Sequence, residues 1–373
     1  GGCQFRHMTY DEELRAKGQR IADALERVGG VRLELPPVLG AEKPDRYRNK
    51  VQFPVDRAED RVRAGYYRAR SHQVLEVEDC LLQPERVSRL QRAFEEWAAH
   101  LPSEYHMEGR FVVRHLYVRT NSRGEALVCV VAWKPVLPGA DRLVSALREC
   151  EPGVVGVVLN VNPADTNVIL GPEYHTLWGR DYLEEELCAY TFRLSVPSFF
   201  QINQAQTERL YAVALDFAAL TGRETVLDLY CGIGTISLAL SRRAAKVIGA
   251  EIVPQAIQDA RENARRNGVE NTEFFCGDAG TVAARLSGEG VRPQVICVDP
   301  PRKGLQPEVP AILAGMAPER IVYVSCDPAT LARDVRRFGE LGYRAVKAQG
   351  VDLFPRTAHV ETVVLLSRES EID

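Results

Sequence analysis

From Ser198 to the C-terminal end, short apolar runs typical of buried strands alternate with longer runs that have the spacing of amphipathic helices. This alternation predicts an α/β domain with a parallel sheet, because parallel strands need crossover connections that are usually helical. We assign this domain to residues 196–373. Its predicted strands are Val226–Tyr230, Lys246–Glu251, Glu273–Cys276, Gln294–Val298, Ile321–Val324, Tyr343–Gln349 and Val360–Ser367.

The residues before this domain have a different pattern. An amphipathic helix is predicted from Tyr10 to Val28, and the two glycines that follow are typical of a helix end. Farther along, short alternating runs and a hairpin from Arg110 to Trp133 predict a compact α+β domain. The predicted divisions of the chain are therefore 1–30, 31–195 and 196–373.

Composition narrows the class of protein. The 373 residues carry a net charge of −4, which argues against a uniformly basic nucleic-acid coat but allows a local basic patch. Nine cysteines, an odd number in a long chain, do not resemble a secreted disulfide framework. We expect a cytoplasmic, reducing setting and no membrane span. Because the chain begins at Gly1 without a methionine, we also expect it to be part of a longer protein.

The segment from Glu42 to Arg70 is locally basic, with nine lysines and arginines against five acids. Four aromatic residues are interleaved with these charges: Tyr47, Phe53, Tyr66 and Tyr67. Cations for phosphates and aromatic faces for unstacked bases favour an RNA-binding surface. An ordinary solvated strand face is an equally good interpretation of this segment taken alone.

Chemically distinctive side chains follow five successive predicted strands of the last domain. Because the carboxyl ends of parallel strands meet at one edge of the sheet, we expect these residues to line a ligand crevice. Glu251 is placed to hold ribose hydroxyls, and Asp278 to meet an adenine amine. The loop Gly232-Ile233-Gly234 lacks the third glycine of a dinucleotide fingerprint, so it supports pyrophosphate binding only weakly. The five residues are Tyr230, Glu251, Asp278, Asp299 and Cys326.

Two of the predicted strand ends carry groups suited to covalent catalysis. Cys326 follows the apolar run Ile321–Val324, and we predict that it is a nucleophile, although a buried structural cysteine is the commoner role. Glu361 stands in the apolar run that forms the last strand, where burial would raise its pKa and make it a candidate base. A solvated acid on an edge strand is the alternative.

Taken together, these motifs closely resemble the uracil-C5 RNA methyltransferases, S-adenosylmethionine-dependent enzymes that make 5-methyluridine. The resemblance implies a class I (Rossmann-like) methyltransferase domain preceded by a central α+β RNA-binding domain. The family's Ser-Cys-Asn-Pro is Ser-Cys-Asp-Pro here. The matching motifs, in family order, are Phe200-Gln201-Ile202-Asn203, Asp228 to Thr235, Asp299-Pro300-Pro301-Arg302, Ser325-Cys326-Asp327-Pro328 and His359-Val360-Glu361.

The resemblance also implies roles for individual residues. Cys326 would be the nucleophile that adds to carbon 6 of uracil, and Glu361 the base that removes the proton from carbon 5. A thiol, a base and a sulfonium methyl donor are what this chemistry requires. The implied S-adenosylmethionine contacts are Gln201, Tyr230, Glu251, Asp278 and Asp299.

Two cysteines resemble part of an iron–sulfur site found in the branch of the family that modifies 23S ribosomal RNA. Cys3 and Cys80 would be half of a [4Fe–4S] ligand set, with two more cysteines and an RNA-binding barrel before residue 1. Residues 1–30 would then be a partial cluster-binding segment and a helix. The implied partner is ribosomal RNA, bound by a monomer.

Other functions stay open from the sequence alone. A transfer-RNA uridine-5 methyltransferase would share the catalytic motifs but lack the cluster. An RNA cytosine-5 methyltransferase uses similar adduct chemistry, but that family has a second cysteine where Arg302 stands here. A non-catalytic RNA-binding protein with a vestigial cofactor fold is the alternative from another class. An iron–sulfur electron carrier fits least, since only two candidate ligands are present.

Overall fold

The computed structural model of the protein describes residues 2–58, 61–101, 106–107 and 110–369. These residues form two compact units. We call Asp45–Glu185 with Arg193–Ser198 the central unit. The main unit comprises Gly2–Pro44, Glu186–Phe192 and residues 199–369.

The central unit is built on a seven-stranded sheet with the order β3-β2-β1-β6-β7-β8-β9. Helices α2 and α3 contribute Leu90, Phe94 and Leu147 to its buried apolar core. The predicted hairpin is confirmed as β6 and β7, which pair antiparallel from Val113↔Ala132 to Thr120↔Ala126. The elements are β1 (Lys50–Ala58), β2 (Arg61–Tyr67), β3 (Val74–Glu76), α2 (Glu85–Ala99), β4 (His106–Met107), β5 (Arg110–Phe111), β6 (Val113–Thr120), β7 (Ala126–Ala132), α3 (Ala140–Cys150), β8 (Val154–Val161) and β9 (Glu173–Gly179).

The main unit carries the second seven-stranded sheet, with the order β14-β13-β12-β15-β16-β18-β17. Its first five strands are parallel, as predicted, whereas β18 runs antiparallel to both β16 and β17. The strands are β12 (Thr225–Leu229), β13 (Lys246–Glu251), β14 (Thr272–Cys276), β15 (Val295–Val298), β16 (Arg320–Ser325), β17 (Tyr343–Val351) and β18 (Glu361–Arg368). A separate two-stranded ribbon, β10 (Tyr182–Leu187) with β11 (Tyr190–Ser195), precedes them in the chain.

Helices cover the main sheet. α1 begins at the N-cap Thr9, whose hydroxyl accepts a hydrogen bond from the Glu12 amide, and it packs against α9. Ile21 and Leu25 of α1 are buried in the same apolar cluster as strands β12, β15 and β16. The helices are α1 (Tyr10–Arg27), α4 (Gln204–Ala218), α5 (Thr235–Ser241), α6 (Pro254–Arg266), α7 (Ala279–Gly288), α8 (Val309–Gly315) and α9 (Pro328–Gly339).

The observed units do not follow the predicted divisions at residues 30 and 195. Residues 31–44 belong to the main unit, because Leu33 and Leu35 pack against its core and Leu39 bridges to Val351 at the end of β17. The N-terminal helix belongs to the same unit. Within the described residues, no helix combines the length and apolar character needed to cross a bilayer.

Candidate active site

The strand register of the main sheet brings the predicted ligand residues to one edge. Leu229 of β12 pairs with Ala250 of β13 and with Val298 of β15, and Val298 pairs with Tyr323 of β16. The residues that follow these strands therefore emerge together, at the carboxyl edge where open α/β sheets bind ligands. Those residues are Tyr230, Glu251, Asp299 and Cys326.

The loop after β12 has an unusual backbone. Tyr230 has φ +66°, and both glycines of the loop are also left-handed, Gly232 at +54° and Gly234 at +84°. The Glu251 carboxylate at the end of β13 accepts a hydrogen bond from the Gly232 amide at 3.3 Å and one from the Val253 amide at 3.0 Å. These bonds orient the carboxylate at the mouth of the loop, which suits binding of vicinal hydroxyls.

Two aspartates give this edge an acidic character. Burial raises the pKa of Asp299 to about 7. Asp228, on β12, is fully buried beside it, and burial and the Asp299 charge raise its pKa to about 7 as well, against the hydrogen bond from the Ser237 hydroxyl. Because a cation nearby would stabilise both carboxylates, the site fits the sulfonium and ammonium charges of S-adenosylmethionine. In the sequence Asp228 marks only the start of the motif that ends at Thr235, and its place beside Asp299 depends on the pairing of β12 with β15.

Gln201 and Asp278, the other two predicted donor contacts, each lie near the start of a helix in the main unit. Gln201 is half-buried, three residues before the start of α4, and the N-cap Asn203 donates to the Leu353 carbonyl at 3.2 Å. Asp278 is the N-cap of α7, where it accepts from the Thr281 amide at 3.1 Å and from the Gln306 side chain at 3.3 Å. The cap explains Asp278 locally, so its contact with an adenine amine stays a prediction.

Cys326 and Glu361 are brought together by the antiparallel strand β18. Ser325, the last residue of β16, pairs with Thr362, the second residue of β18, so the next residue along β16 and the previous one along β18 are neighbours. The Ser325 hydroxyl also accepts a hydrogen bond from the Asp327 amide at 3.1 Å. Asp327 then caps α9 by accepting from the Ala329 amide at 2.9 Å, which fixes the turn around the thiol.

Electrostatics favour the neutral forms of both groups. Burial, then the charges of Glu361 and Asp299, raise the pKa of the Cys326 thiol to about 11. Glu361 is only 3% exposed, and burial together with Asp299 raises its pKa well above the usual range of a carboxyl. The Arg302 guanidinium, from the Asp-Pro-Pro-Arg motif, lowers the pKa of both groups. Any further cation brought to this edge would act in the same direction as Arg302.

The two predicted cluster ligands lie in different units, Cys3 in the main unit and Cys80 in the central unit. Both are half-buried. Within the described part of the chain, no group of three or more histidine, cysteine or acidic side chains is arranged to hold a metal ion. A [4Fe–4S] cluster needs four ligands, usually thiolates, so the residues that the structure describes do not fit it.

The central unit has a groove of about 890 Å³ that joins the basic segment to the hairpin. Arg57 and Tyr67, two residues of the predicted basic segment, line it, and the Tyr67 ring meets His72 edge-on at 5.4 Å. From the hairpin side, the Arg114 guanidinium lies over the Trp133 ring at 4.0 Å. The hairpin contribution was missed in the sequence, since Trp133 stands next to an entirely buried strand.

The strand order of the main sheet and its acidic carboxyl edge define the class of this protein: it has the α/β fold of the S-adenosylmethionine-dependent methyltransferases. A solved structure with this fold is that of Pyrococcus abyssi tRNA (uracil-54, C5)-methyltransferase in complex with S-adenosyl-L-homocysteine. It superimposes with a TM-score of 0.77 at 25% identity, covering 98% of this chain and 85% of that one.

The family follows from the sequence profile of tRNA (uracil-5-)-methyltransferases, which matches residues 9–369. The chain therefore belongs to this family of RNA uracil-5 methyltransferases. It is 44% identical over 370 residues to an uncharacterized RNA methyltransferase of Clostridium tetani, covering 98% of this chain and 80% of that protein. A relative of the same description from Halalkalibacterium halodurans is also 44% identical over 370 residues, with 98% and 81% covered.

Proposed function

We propose that the protein methylates carbon 5 of a uridine in 23S ribosomal RNA through a covalent bond between Cys326 and carbon 6 of the uracil. The observation that carries the proposal is the register of β16 and β18, which sets a thiol beside a buried carboxyl at the edge of a methyl-donor fold. Bound S-adenosylmethionine would supply an electrophilic methyl group on a sulfonium.

Cys326 is the nucleophile in this scheme. Carbon 5 of uracil is too weak a nucleophile to take a methyl group directly, and addition of the thiolate to carbon 6 turns the ring into an enolate that can. The raised pKa of the thiol means that it must be activated first. Arg302 and a cationic donor at the Asp299 edge both favour the thiolate.

Glu361 is the base that completes the reaction. Once carbon 5 carries the methyl group, its remaining proton passes to the Glu361 carboxylate, the bond between sulfur and carbon 6 breaks, and the electron pair returns to sulfur as the thiolate. Burial makes Glu361 more basic than a surface carboxylate, which suits this transfer once the charges of Arg302 and of the bound donor favour its ionised form.

The residues at the strand ends are assigned to the methyl donor. Glu251 would hold the ribose hydroxyls, and Asp299 the positively charged part of the donor. Tyr230 and Gln201 would contact the rest of the molecule, and Asp278 the adenine amine. The acidic edge around Asp228 and Asp299 supports this orientation, since it puts negative charge where the donor is positive.

The groove of the central unit supports RNA as the substrate. It combines arginines with aromatic rings, a lining suited to phosphates and unstacked bases. Transfer RNA is the second candidate substrate, because the family profile and the Pyrococcus abyssi enzyme are both named for it. Equal amounts of 23S ribosomal RNA and transfer RNA transcripts, offered with labelled donor, distinguish the two by which transcript takes up the label.

The [4Fe–4S] cluster is a separate part of the proposal, and it supports the ribosomal-RNA branch only through the resemblance of Cys3 and Cys80. No step of the reaction above is routed through a cluster. Iron and acid-labile sulfide assays on anaerobically purified protein test it, with Cys80→Ser as the variant and Cys150→Ser as the control. A metal content unchanged by Cys80→Ser would contradict the role of Cys80.

The central test is transfer of a labelled methyl group to RNA, followed by nucleoside analysis. We expect 5-methyluridine from the wild-type protein, no product from Cys326→Ala, and unchanged product from Cys150→Ala in the central unit. Labelled 5-methylcytidine would favour the cytosine-5 reaction instead. Wild-type activity in Cys326→Ala would overturn the mechanism.

A further inference from the structure

A buried ion cluster joins α1 to the loop that precedes Glu361. Lys17 has no exposed surface, and its ammonium donates to Glu13 Oε1 at 2.7 Å, to Asp352 Oδ1 at 2.7 Å and to the Phe354 carbonyl at 3.2 Å. These three acceptors match the three donors of an ammonium group. Every proton of the Lys17 head group therefore has an assigned acceptor.

The carboxylates of this cluster also hold the backbone of the loop. Glu13 Oε1 accepts from the Arg356 amide at 2.7 Å, and Asp352 Oδ1 accepts from the Phe354 amide at 3.2 Å. The Tyr10 hydroxyl donates to Asp352 Oδ2 at 2.9 Å. A single lysine thus organises two carboxylates, each of which binds a loop amide.

Further bonds from the N-terminal segment reach the same loop. The Phe5 amide donates to the Arg356 carbonyl at 3.1 Å, and the Ala358 amide donates to the side chain of Gln4 at 3.2 Å. Arg20 donates to the Ala358 carbonyl at 2.6 Å. Residues 352–360 consist of turns and irregular backbone, so these hydrogen bonds hold the loop in place of the strand pairing found elsewhere.

The loop ends at Glu361, where strand support is one-sided. Glu361 pairs with Val351 of β17, whereas the pairing with β16 begins at Thr362. On the side of Cys326, the backbone of Glu361 has no ladder partner in the described register. The position of its carboxylate therefore depends both on β17 and on the loop that precedes Glu361.

We propose that Lys17 is a positioning residue that holds Glu361 at the distance from Cys326 needed to take the carbon 5 proton. The proposal rests on the proposed function, because it gives α1 a part in that reaction. Stability alone does not account for the cluster, since a buried ion pair can often be replaced by apolar residues without loss. Here the bonds converge on the one loop that carries the base.

The test uses Lys17→Met, which keeps the length of the side chain and removes the ammonium. We expect methyl transfer into the adduct to persist and release to slow, so that the covalent protein–RNA adduct accumulates and kcat falls by about 10- to 100-fold. The Kd for S-adenosylmethionine, measured by calorimetry, should stay within about twofold, because the donor site is intact. Lys246→Met, which breaks an exposed ion pair with Glu273 in the same unit, is the matched control and should behave as wild type.

A charge-balanced variant covers the case in which Lys17→Met does not fold. Lys17→Met with Glu13→Gln and Asp352→Asn leaves neither carboxylate of the cluster charged in the absence of Lys17, and we expect the same adduct to accumulate. Adduct at the wild-type level in a folded variant that binds the donor would overturn the proposal.

A second measurement does not depend on catalysis. Hydrogen exchange of the amides of Arg356 and Ala358 should accelerate in Lys17→Met and stay unchanged in Lys246→Met; unchanged exchange in both would overturn the proposal. If wild-type protein makes no methylated RNA, the proposed function fails, and the exchange data alone decide whether Lys17 holds the loop.

Discussion

Thr362 pairs with Ser325 across two antiparallel strands, so Glu361, the first residue of β18, lies at the point where Cys326 follows β16. An antiparallel pair places the start of one strand beside the end of its neighbour, which a parallel pair cannot do. The reversal of β18 is therefore what brings a carboxyl from late in the chain beside the thiol. The charge of Glu361 contributes to the raised pKa of the Cys326 thiol, and the charge of Arg302 lowers the pKa of both groups.

We expect Glu361→Gln to trap the reaction after methyl transfer. The amide keeps the shape of the side chain but cannot accept the carbon 5 proton, so release of the thiolate should be the step that fails. Denaturing gel electrophoresis with labelled donor should show a protein–RNA band that carries the methyl group. Rapid turnover without such a band would remove Glu361 from the role of base.

Binding of S-adenosylmethionine should strengthen as the pH rises through about 7. The pKa of Asp299 is about 7, so the carboxylate proposed to attract the cationic donor is mostly protonated at pH 6 and mostly ionised at pH 8. Calorimetric titration across this range should give a rising affinity that levels off at higher pH. Asp299→Asn should bind more weakly and show a flatter profile, and a pH-independent affinity in wild type would contradict the assignment.

Asp228 should make the free energy of unfolding fall as the pH rises, whereas a salt-bridged acid makes it rise. Its pKa is about 7 in the folded protein and lower when unfolded, so the folded state binds more protons between about pH 4 and 7. The free energy of unfolding of wild type relative to Asp228→Asn should be highest at low pH. It should fall by up to about 4 kcal/mol as the pH rises to 7, and then stay level. Urea unfolding of both proteins at several pH values measures this difference.

Asp334 is the acid in the core behind the thiol whose substitution we expect to destabilise the fold most. It has no exposed surface, and it accepts from the Leu305 amide at 2.8 Å, from the Tyr323 hydroxyl at 2.8 Å and from Arg337 at 3.0 Å. Asp334→Ala leaves these donors without their acceptor and should cost about 3–5 kcal/mol in urea unfolding. The control is the exposed Glu340, which directly follows α9, the helix that carries Asp334. Glu340→Ala should change the free energy of unfolding by less than about 0.5 kcal/mol.

The elements of the main unit could be predicted because their signals are local. The helix predicted from Tyr10 to Val28 is observed as Tyr10–Arg27, and each predicted strand of the sheet is present. Caps, apolar periodicity and strand-ending residues lie within a few positions of each other, so a linear sequence contains them. For the same reason the residues at the carboxyl edge could be named in advance.

Long-range features could not be predicted in this way. Lys17 stands on a helix where a lysine is normally solvated, and its partner Asp352 lies 335 positions away. The direction of β18 could not be predicted either, because an apolar run does not indicate in which direction the neighbouring strands run. That residues 31–44 belong to the main unit could not be predicted for the same reason, since the bridge from Leu39 to Val351 depends on the completed sheet.

The main unit is assembled from both ends of the chain, and this constrains its order of folding. Most of the central unit lies in one segment of the chain, residues 45–185, which is synthesised after α1 and before the strands that α1 needs as partners. The Lys17 ammonium can be desolvated and buried only when Asp352 has left the ribosome and β18 has joined the sheet. Until then the apolar face of α1 stays exposed on the nascent protein. A truncation before β18 would leave α1 permanently without its partner.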